Sequence, residues 1–563
     1  MYKKIFCKIP AAWTGLFALL AGVAQAAGPH NDDWAGRTVI DGLPFVDTVE
    51  DVQTATNEPS DPELFCNGGE APSRGADTLW YEYTTGVSEE YVDIDAVGYS
   101  TIVAVFEGSP AEGYEMVRGG CSDGYTGGQI FNSRIVGLRL KPHTRYAIEA
   151  AAFMTSVFPT MRLGFRVTPA AVYRVTKTED TNDGACDADC SLREAVDAAN
   201  ATEGAIVVPT GRYVLTSQLE AVRSGSIYGA GMNETVIDAA GTGRVLAHTT
   251  FDQDSYALHD LTLTGGLASG DGGAFIGLAA GHYVFDRVAL RDSQGANGGG
   301  ASLSSVATTV SMFDSVVSGN VAKGDGGGVY FDGINIELVN TSLVGNAAAN
   351  DAGGNGGGIY LKPVYAGRLK NATISDNHAK GLAGGVHVDI GSAWMALAIN
   401  NSSVVNNAAG GAASPQNGGL VFSGNPTIVA PVVTNTVLAG NYATQKPDAL
   451  ADCGKPANVV LKTGYDFVQS PNGCAFDATG DKTAADPQLG PLTTDFAVPV
   501  HVPTEGSPLI DAGDPAAGCE RDDARGVPRP VDGDADGKPF CDIGAVEWTT
   551  LNRSDVIFAD GFE

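Results

Sequence analysis

The sequence predicts an all-β protein: an antiparallel β-sandwich followed by a parallel β-helix. Three observations predict it. Short alternating runs of β-branched and aromatic residues fill the first third of the chain. A repeat runs from about Leu258 to Ala443. Glycine is abundant, 74 of 563 residues, without the G-X-Y period of collagen, so its use lies in turns. Hydrophobic residues make up 43% and charged ones 18%, enough to build a core and unlike a disordered acidic tail. The formal charge of −32, from 34 Lys+Arg against 66 Asp+Glu, argues against nucleic acid as a partner.

The first 26 residues read as a secretory signal peptide. Lys3, Lys4 and Lys8 form a positive start, Ala11 to Val23 is apolar, and Ala24-Gln25-Ala26 is a small-x-small cleavage site. The apolar run is shorter than the ~20 residues a membrane span needs, and no later segment is long and apolar enough to be a transmembrane segment. Losing three lysines leaves −32 − 3 = −35. Cys7 leaves with the signal. The remaining cysteines fall in local pairs: Cys66 and Cys121, Cys186 and Cys190, Cys453 and Cys474, Cys519 and Cys541. An even number in an exported chain implies disulfides, although sequence leaves the connectivity open. Zinc at Cys186 and Cys190 would need a second Cys/His pair nearby, and there is none.

Residues 27–168 supply the sandwich. Thr78 to Tyr83, Thr101 to Phe106, Ile135 to Leu140 and Tyr146 to Ala150 alternate with period two between turn signals. The stretches NDDWAGRTVIDGLPF, DTLWYEYT, YSTIVAVFEG and HTRYAIEAAAF resemble the pre-peptidase C-terminal-like domains of secreted bacterial proteins. That resemblance implies an accessory module, often proposed to bind polymers. Asp32 and Asp33 read as the start of a solvated loop rather than a calcium site.

Residues 169–201 read as a cap. Ser191 followed three residues later by Glu194 is a capping box, and Leu192, Ala195, Val196 and Ala199 fall on one helical face. The segment DTNDGACDADCSLREAVDAAN resembles the CSLREA motif that opens secreted bacterial right-handed β-helices. The resemblance implies a right-handed, pectate-lyase-like solenoid after it, with the helix covering the first coil.

Residues 202–548 carry the repeat. Double glycines followed by an apolar residue recur at Ala274, Ala301, Val329, Ile359, Val386 and Leu420. A second marker ends at Asn320, Asn346, Asn377, Asn407 and Asn441. Glycine and β-branched residues exclude helical repeats, whereas coils of short strands suit both markers. The recurrent asparagines are expected to form an internal amide ladder. Asn233, Asn340, Asn371, Asn400 and Asn401 fit the glycosylation pattern, but the coil repeat itself generates it. The repeats also resemble those of polymorphic outer-membrane autotransporters, which implies a surface-exposed rod. SPLIDAGDPAAGCERDDARGVPRPVDGDADGKPFCDIGAVE resembles the C-terminal segment of choice-of-anchor Q surface proteins. The tail, residues 549–563, ends in IFADGFE, similar to a short tail on exported Gram-negative proteins. Together these imply a secreted or cell-surface protein of a Gram-negative bacterium.

Period two within each coil fixes the faces. Residues one and three after each double glycine point inward; the third positions are Ile276, Leu303, Phe331, Leu361, Val388 and Phe422. Second positions point outward: Phe275, Ser302, Tyr330, Tyr360, His387 and Val421. Tyr330, Tyr360 and His387 thus form a ring platform, flanked at fourth positions by Asp332, Lys362 and Asp389. Rings and charges along a groove suit a glycan, so these six residues are the ligand-binding candidates.

No residue set assigns a catalytic role. His387 and Asp389, with Asp376, His378 and Lys380 one turn earlier, form the best acidic–basic cluster, and a polar outer face produces such clusters by itself. Asp532-Gly533-Asp534-Ala535-Asp536-Gly537 is D-x-D-x-D-G, which suits calcium; Asp542 is the nearest carboxylate to the twelfth position of a calcium loop. The function that follows is binding of glycans or surfaces by an adhesin-like protein, with an extracellular glycan or cell surface as partner. A β-helix polysaccharide lyase or glycoside hydrolase is the alternative, and a structural surface spacer the third.

Overall fold

The computed structural model describes residues 28–549 except 67–73, 124, 127–128, 131, 154–159, 250–254, 306–307, 351–352, 392–395, 411–417, 425–429, 445, 472, 484–485 and 517. The expected signal peptide and the tail beyond 549 lie outside the described residues. No described helix is long and apolar enough to cross a membrane.

The N-terminal unit is a β-sandwich. Its larger sheet orders Thr38–Ile40, Ala76–Thr84, Arg145–Ala152, Thr101–Ser109 and Gly113–Asp123; the smaller orders Phe45–Val49, Leu163–Pro169, Glu90–Val97 and Ser133–Leu140. Leu79, Tyr81, Ile94, Val103, Val105, Ile148 and Phe165 fill the space between them. Alternation would leave Trp80, Ala104 and Phe106 in water. Instead they lie under a second small core with Leu64, Cys66 and Cys121, so the larger sheet is buried on both faces.

The solenoid begins inside the expected cap, where Val172–Arg174 pairs in parallel with Gly204–Val207. The helix Leu192–Thr202 has the full capping box at Ser191 and Glu194. Its Leu192, Ala195 and Val196 join the core of the solenoid, closing its open end. Each coil then adds one strand to each of three parallel sheets, and from Gln294–Gly295 to Tyr442–Ala443 a two-residue strand to a fourth, narrow one. The coil at Val329–Val339, for example, serves the third sheet with its first residues and the first sheet of the next coil with its last. Ser342–Val344 follows in the second sheet. The stack ends at Phe467–Val468.

The expected amide ladder is present at the turn after the second sheet. The side chain of Asn320 donates to Asn346 Oδ1 at 3.0 Å, Asn346 to Asn377 at 3.0 Å, Asn377 to Asn407 at 2.9 Å and Asn407 to Asn441 at 2.9 Å. Each oxygen also accepts the backbone N–H of the preceding rung, as Asn377 Oδ1 does from Asn346. Asp452 ends the ladder, accepting from Asn441 through Oδ1 and from the Ser470 N–H through Oδ2. Asn340, Asn371 and Asn401 occupy left-handed corners between the first and second sheets, and Asn340 and Asn371 bond across coils. Their recurrence therefore has a structural cause.

One inward residue differs from expectation. Phe275, not Ile276, points into the core, in register with Ala301; Ile276 pairs with Ser302 on the outer face. The turn is set by a left-handed residue three places before the strand: Gly272, Gly298, Gly326, Gly356 and Ala383. Counted from there, Ala274 occupies the last of the three turn positions, and a one-residue slip exchanges the faces. At the next position a side chain is barred, since a Cβ on Gly327 would lie 2.2 Å from the Gly357 carbonyl oxygen of the next coil.

Four disulfides join the cysteines by proximity, as paired above, with Cα separations of 5.9, 4.4, 5.7 and 6.4 Å in chain order. Asn377→Ala should break the ladder in its middle, leaving the buried Asn346 amide and backbone N–H without their acceptor. A loss of about 2–4 kcal/mol is expected, measured by thermal or denaturant unfolding; an unchanged midpoint would contradict a supporting role for the ladder.

Candidate functional site: the outer face of the third sheet

Of the outer faces of the three longer sheets, described parts of the chain cover two. The sandwich lies on the first sheet through polar contacts. Tyr228 donates to the Gly137 carbonyl at 3.0 Å, Ser226 to that of Val136 at 3.1 Å, and His282 Nδ1 meets the Cys121 carbonyl at 3.1 Å. The sandwich supplies the cations and the solenoid the anions: Arg139 pairs with Asp260, Arg118 with Asp314 and Arg134 with Glu203. The C-terminal segment covers the second sheet. Leu509 and Ile543 pack on Val405, Val437 and Phe467, while Val498, Val500, Ala524 and Val546 reach back to Ala289 and Val316.

The third sheet carries the predicted row. Ser302, Tyr330, Tyr360, His387 and Val421 are in direct register across successive coils. The rings of Tyr330 and Tyr360 stack at 5.2 Å and 11°, and those of Tyr360 and His387 at 5.1 Å and 8°. Each ring covers part of its neighbour's face. The row is therefore a ring ladder presenting edges and hydroxyls, not the flat platform expected from spacing. Both tyrosines are half-buried. Tyr360 donates to Asp389 Oδ2 at 3.1 Å, and no described residue takes up the Tyr330 hydroxyl. Lys362 pairs with Asp332 at 2.9 Å. His387 is buried and meets Ser423 Oγ through Nε2 at 2.8 Å. Two buried polar atoms in the row have no partner: His387 Nδ1 and Ser302 Oγ.

A second ladder, missed in the sequence, runs along the turn just before this sheet. Asp271 Oδ1 accepts from the backbone and side-chain amides of Asn297, and Asp325 Oδ1 from those of Asn355. Asn297 and Asn355 pass the bond to the N–H groups of Asp325 and Leu382. The signal was an Asx-Gly pair repeated at 271, 297, 325 and 355. Burial, reinforced by Asp389, raises the Asp325 carboxyl above the ordinary carboxylate range against the ladder bonds. Burial also raises the Tyr330 phenol, with Asp332 adding to it. Burial pushes His387 down to about 4, so it is neutral at ordinary pH.

The other candidate cluster is divided. Asp376 accepts from Ser375 Oγ at 2.8 Å, and the same hydroxyl meets His501 Nε2 at 2.9 Å under the C-terminal segment. Ser375 is fully buried, so this serine–histidine contact seals an interface and offers no nucleophile. His387 and Asp389 stand on the third sheet.

The D-x-D-x-D-G turn gathers differently from expectation. Ligand oxygens of Asp532 and Asp534 lie within 4.8 Å of each other and of Asp511, which sequence reasoning did not include. Asp536 Oδ1 accepts from Lys538 N–H. Asp542 is fully buried and spends its oxygens on the Asp511 and Trp548 N–H groups. It belongs to an interior network with Arg529 and Glu547.

Residues 173–413 match the family model described as rhamnogalacturonase A/epimerase, pectate lyase-like; the span covers coils of the solenoid and excludes the sandwich. Among solved structures, the Agl-KA catalytic domain is 12% identical over 75% of this chain and 86% of its own, with a TM-score of 0.31. The catalytic unit of a thermostable GH87 alpha-1,3-glucanase from Streptomyces thermodiastaticus is 13% identical over 78% and 97%, at 0.26. The A-module of an Azotobacter vinelandii mannuronan C-5 epimerase is 17% identical over 55% and 100%, at 0.24. No curated protein matches the chain.

Burial and the Glu547 carboxylate push Asp542 up to about 8, and burial pushes Asp452 up to about 6. A carboxyl with a higher pKa folded than unfolded holds its proton more tightly in the folded state. Stability is therefore gained as pH falls through the folded value. Histidines lowered by burial oppose this only below their ordinary value of about 6.5. The melting temperature should rise as pH is lowered from about 8.5 to about 6.5; a flat or falling profile in circular-dichroism melts would contradict it.

Proposed function

We propose that the protein is an extracellular glycan-binding protein, adhesive in role, whose ligand lies along the third sheet over Tyr330, Tyr360 and His387, with Asp332, Lys362 and Asp389 beside them. The observation that carries this reading is the allocation of faces: described segments cover two of the three longer sheets, and the third bears half-buried tyrosines and two buried polar atoms without partners among the described residues. Such atoms ask for a ligand or water. Four disulfides and the expected signal peptide support an extracellular site of action. The description of the matching family supports a carbohydrate as ligand.

A second reading, a polysaccharide lyase or glycoside hydrolase, is favoured by one observation. The raised carboxyl of Asp325 beside the ring ladder suits a general acid, with Asp389 or Asp332 as its ionised counterpart. Product release from a panel of acidic and neutral polysaccharides, lost in Asp325→Asn, would favour it over binding alone. Calcium is a further proposal. Asp511, Asp532 and Asp534 would hold it, and the partnerless Asp532 Oδ1 supports the site. Added calcium should raise the melting temperature relative to EDTA, and Asp534→Ala should remove the rise; a wild type indifferent to calcium would end that proposal.

The double variant Tyr330→Ser, Tyr360→Ser tests the main reading on a glycan array. Loss of binding, with the melting temperature lowered by only a few degrees, is expected, since ring stacking contributes about 0.5–1.5 kcal/mol per pair. Unchanged binding per folded molecule would refute the site.

A further inference from the structure

The charge around the ring ladder narrows the ligand further, resting on the reading that this face binds a glycan. Asp325 borders the rings from the turn before the strand, and Asp332 and Asp389 from within it. Both rows act on the rings, since Tyr360 feels Asp389 first and Asp325 after it. Within the row the cation is Lys362, already paired with Asp332. At the far end Arg244 donates to the Asp271 carbonyl and offsets that residue's charge. Asp389 is a charged group that acts on Asp325. With His387 neutral, Asp332, Asp389 and, once ionised, Asp325 outnumber Lys362 along the strip.

The carboxylates also have a spacing. Asp332 and Asp389 stand two coils apart in one row, about 10 Å at one strand spacing per coil. Asp325 stands on the opposite border, beside the same rings. An extended polymer along the solenoid axis would meet Asp325 and Asp332 on opposite borders of one coil and Asp389 two coils further on. Between them the half-buried Tyr330 and Tyr360 offer hydroxyls to those of a sugar, whereas Ser302 Oγ and His387 Nδ1 lie beneath the surface.

We infer that the ligand is an extended glycan carrying free amino groups, a hexosamine polymer, whose ammonium groups pair with Asp325 and Asp389 while its hydroxyls bond the exposed edge of the ring ladder. Polyuronates and sulfated glycans meet like charge along the whole strip and are excluded by it.

The probes are glucosamine hexamer, N-acetylglucosamine hexamer and oligogalacturonate of similar length, titrated calorimetrically against the full chain at about pH 5.5, below the ordinary histidine value. The glucosamine oligomer should bind, weaken with added salt, and lose about tenfold in Asp325→Asn, Asp389→Asn, the worth of two partly exposed ion pairs. The same variant should melt within a few degrees of the wild type, which checks that it is folded. Equal or tighter binding of the acetylated or uronate oligomer, lost in the Tyr330→Ser, Tyr360→Ser variant, would overturn the charge inference and keep the face. Glucosamine binding indifferent to that tyrosine variant would overturn both. No binding of the glucosamine oligomer would overturn the inference, and glycan-array binding that still depends on the two tyrosines would then retain the face.

Discussion

The buried amide ladder is the constraint on which the rest depends. A parallel coil has no fixed length, and here successive rungs lie 26, 31, 30 and 34 residues apart. Insertions enter elsewhere in the coil, but from Asn320 to Asn441 every coil returns an asparagine to the same corner, and losing one would leave two buried amides unsatisfied. From that corner the chain passes through a left-handed residue and a tight turn, where a Cβ on Gly327 or Gly328 would meet a carbonyl of the next coil, then enters the third sheet in fixed phase. Three coils of different length therefore deliver Tyr330, Tyr360 and His387 to one row. The ring ladder is a consequence of the amide ladder.

The same rod explains why the chain carries so much besides coils. Each sheet face is an exposed strip that must be covered, solvated or used. On the first sheet the cover is an independent sandwich held by arginines over acidic and aromatic partners. Arg139 lies 4.5 Å from the Tyr228 ring and Arg118 3.9 Å from that of Phe313. On the second it is a segment with little regular structure, fixed by Cys519–Cys541 and by the buried pairs Arg525–Asp523 and Arg529–Glu547. Such pairs hold an irregular chain in one arrangement more than they add stability. The third face is left with polar groups that its own neighbours do not satisfy.

Much of this was legible in the sequence because it is local or periodic. The capping box, the ladder asparagines and the Tyr330–Tyr360–His387 row all follow from spacing alone; the cysteines lie in local pairs, but their connectivity was open until the structure joined them. Phe275 was misplaced because the double glycine was taken as the phase marker, whereas the left-handed residue before the strand sets it. Asp325 escaped notice as one Asx in a glycine-rich turn; its role depends on the coil above and below. Asp511 reaches the acidic turn from 21 residues before Asp532, and nothing periodic connects them. The docking of the sandwich and the return of the C-terminal segment are contacts between distant parts of the chain, and spacing within either part carries no information about them.

Hydrogen–deuterium exchange of the full chain, with and without glucosamine hexamer, tests the central claim most directly. The ligand face should gain protection in peptides spanning 301–304, 329–333, 359–363 and 386–390, while the sandwich and the C-terminal segment stay unchanged. Protection confined to the sandwich, or to residues 489–548, would contradict the assignment of the third sheet as the binding face.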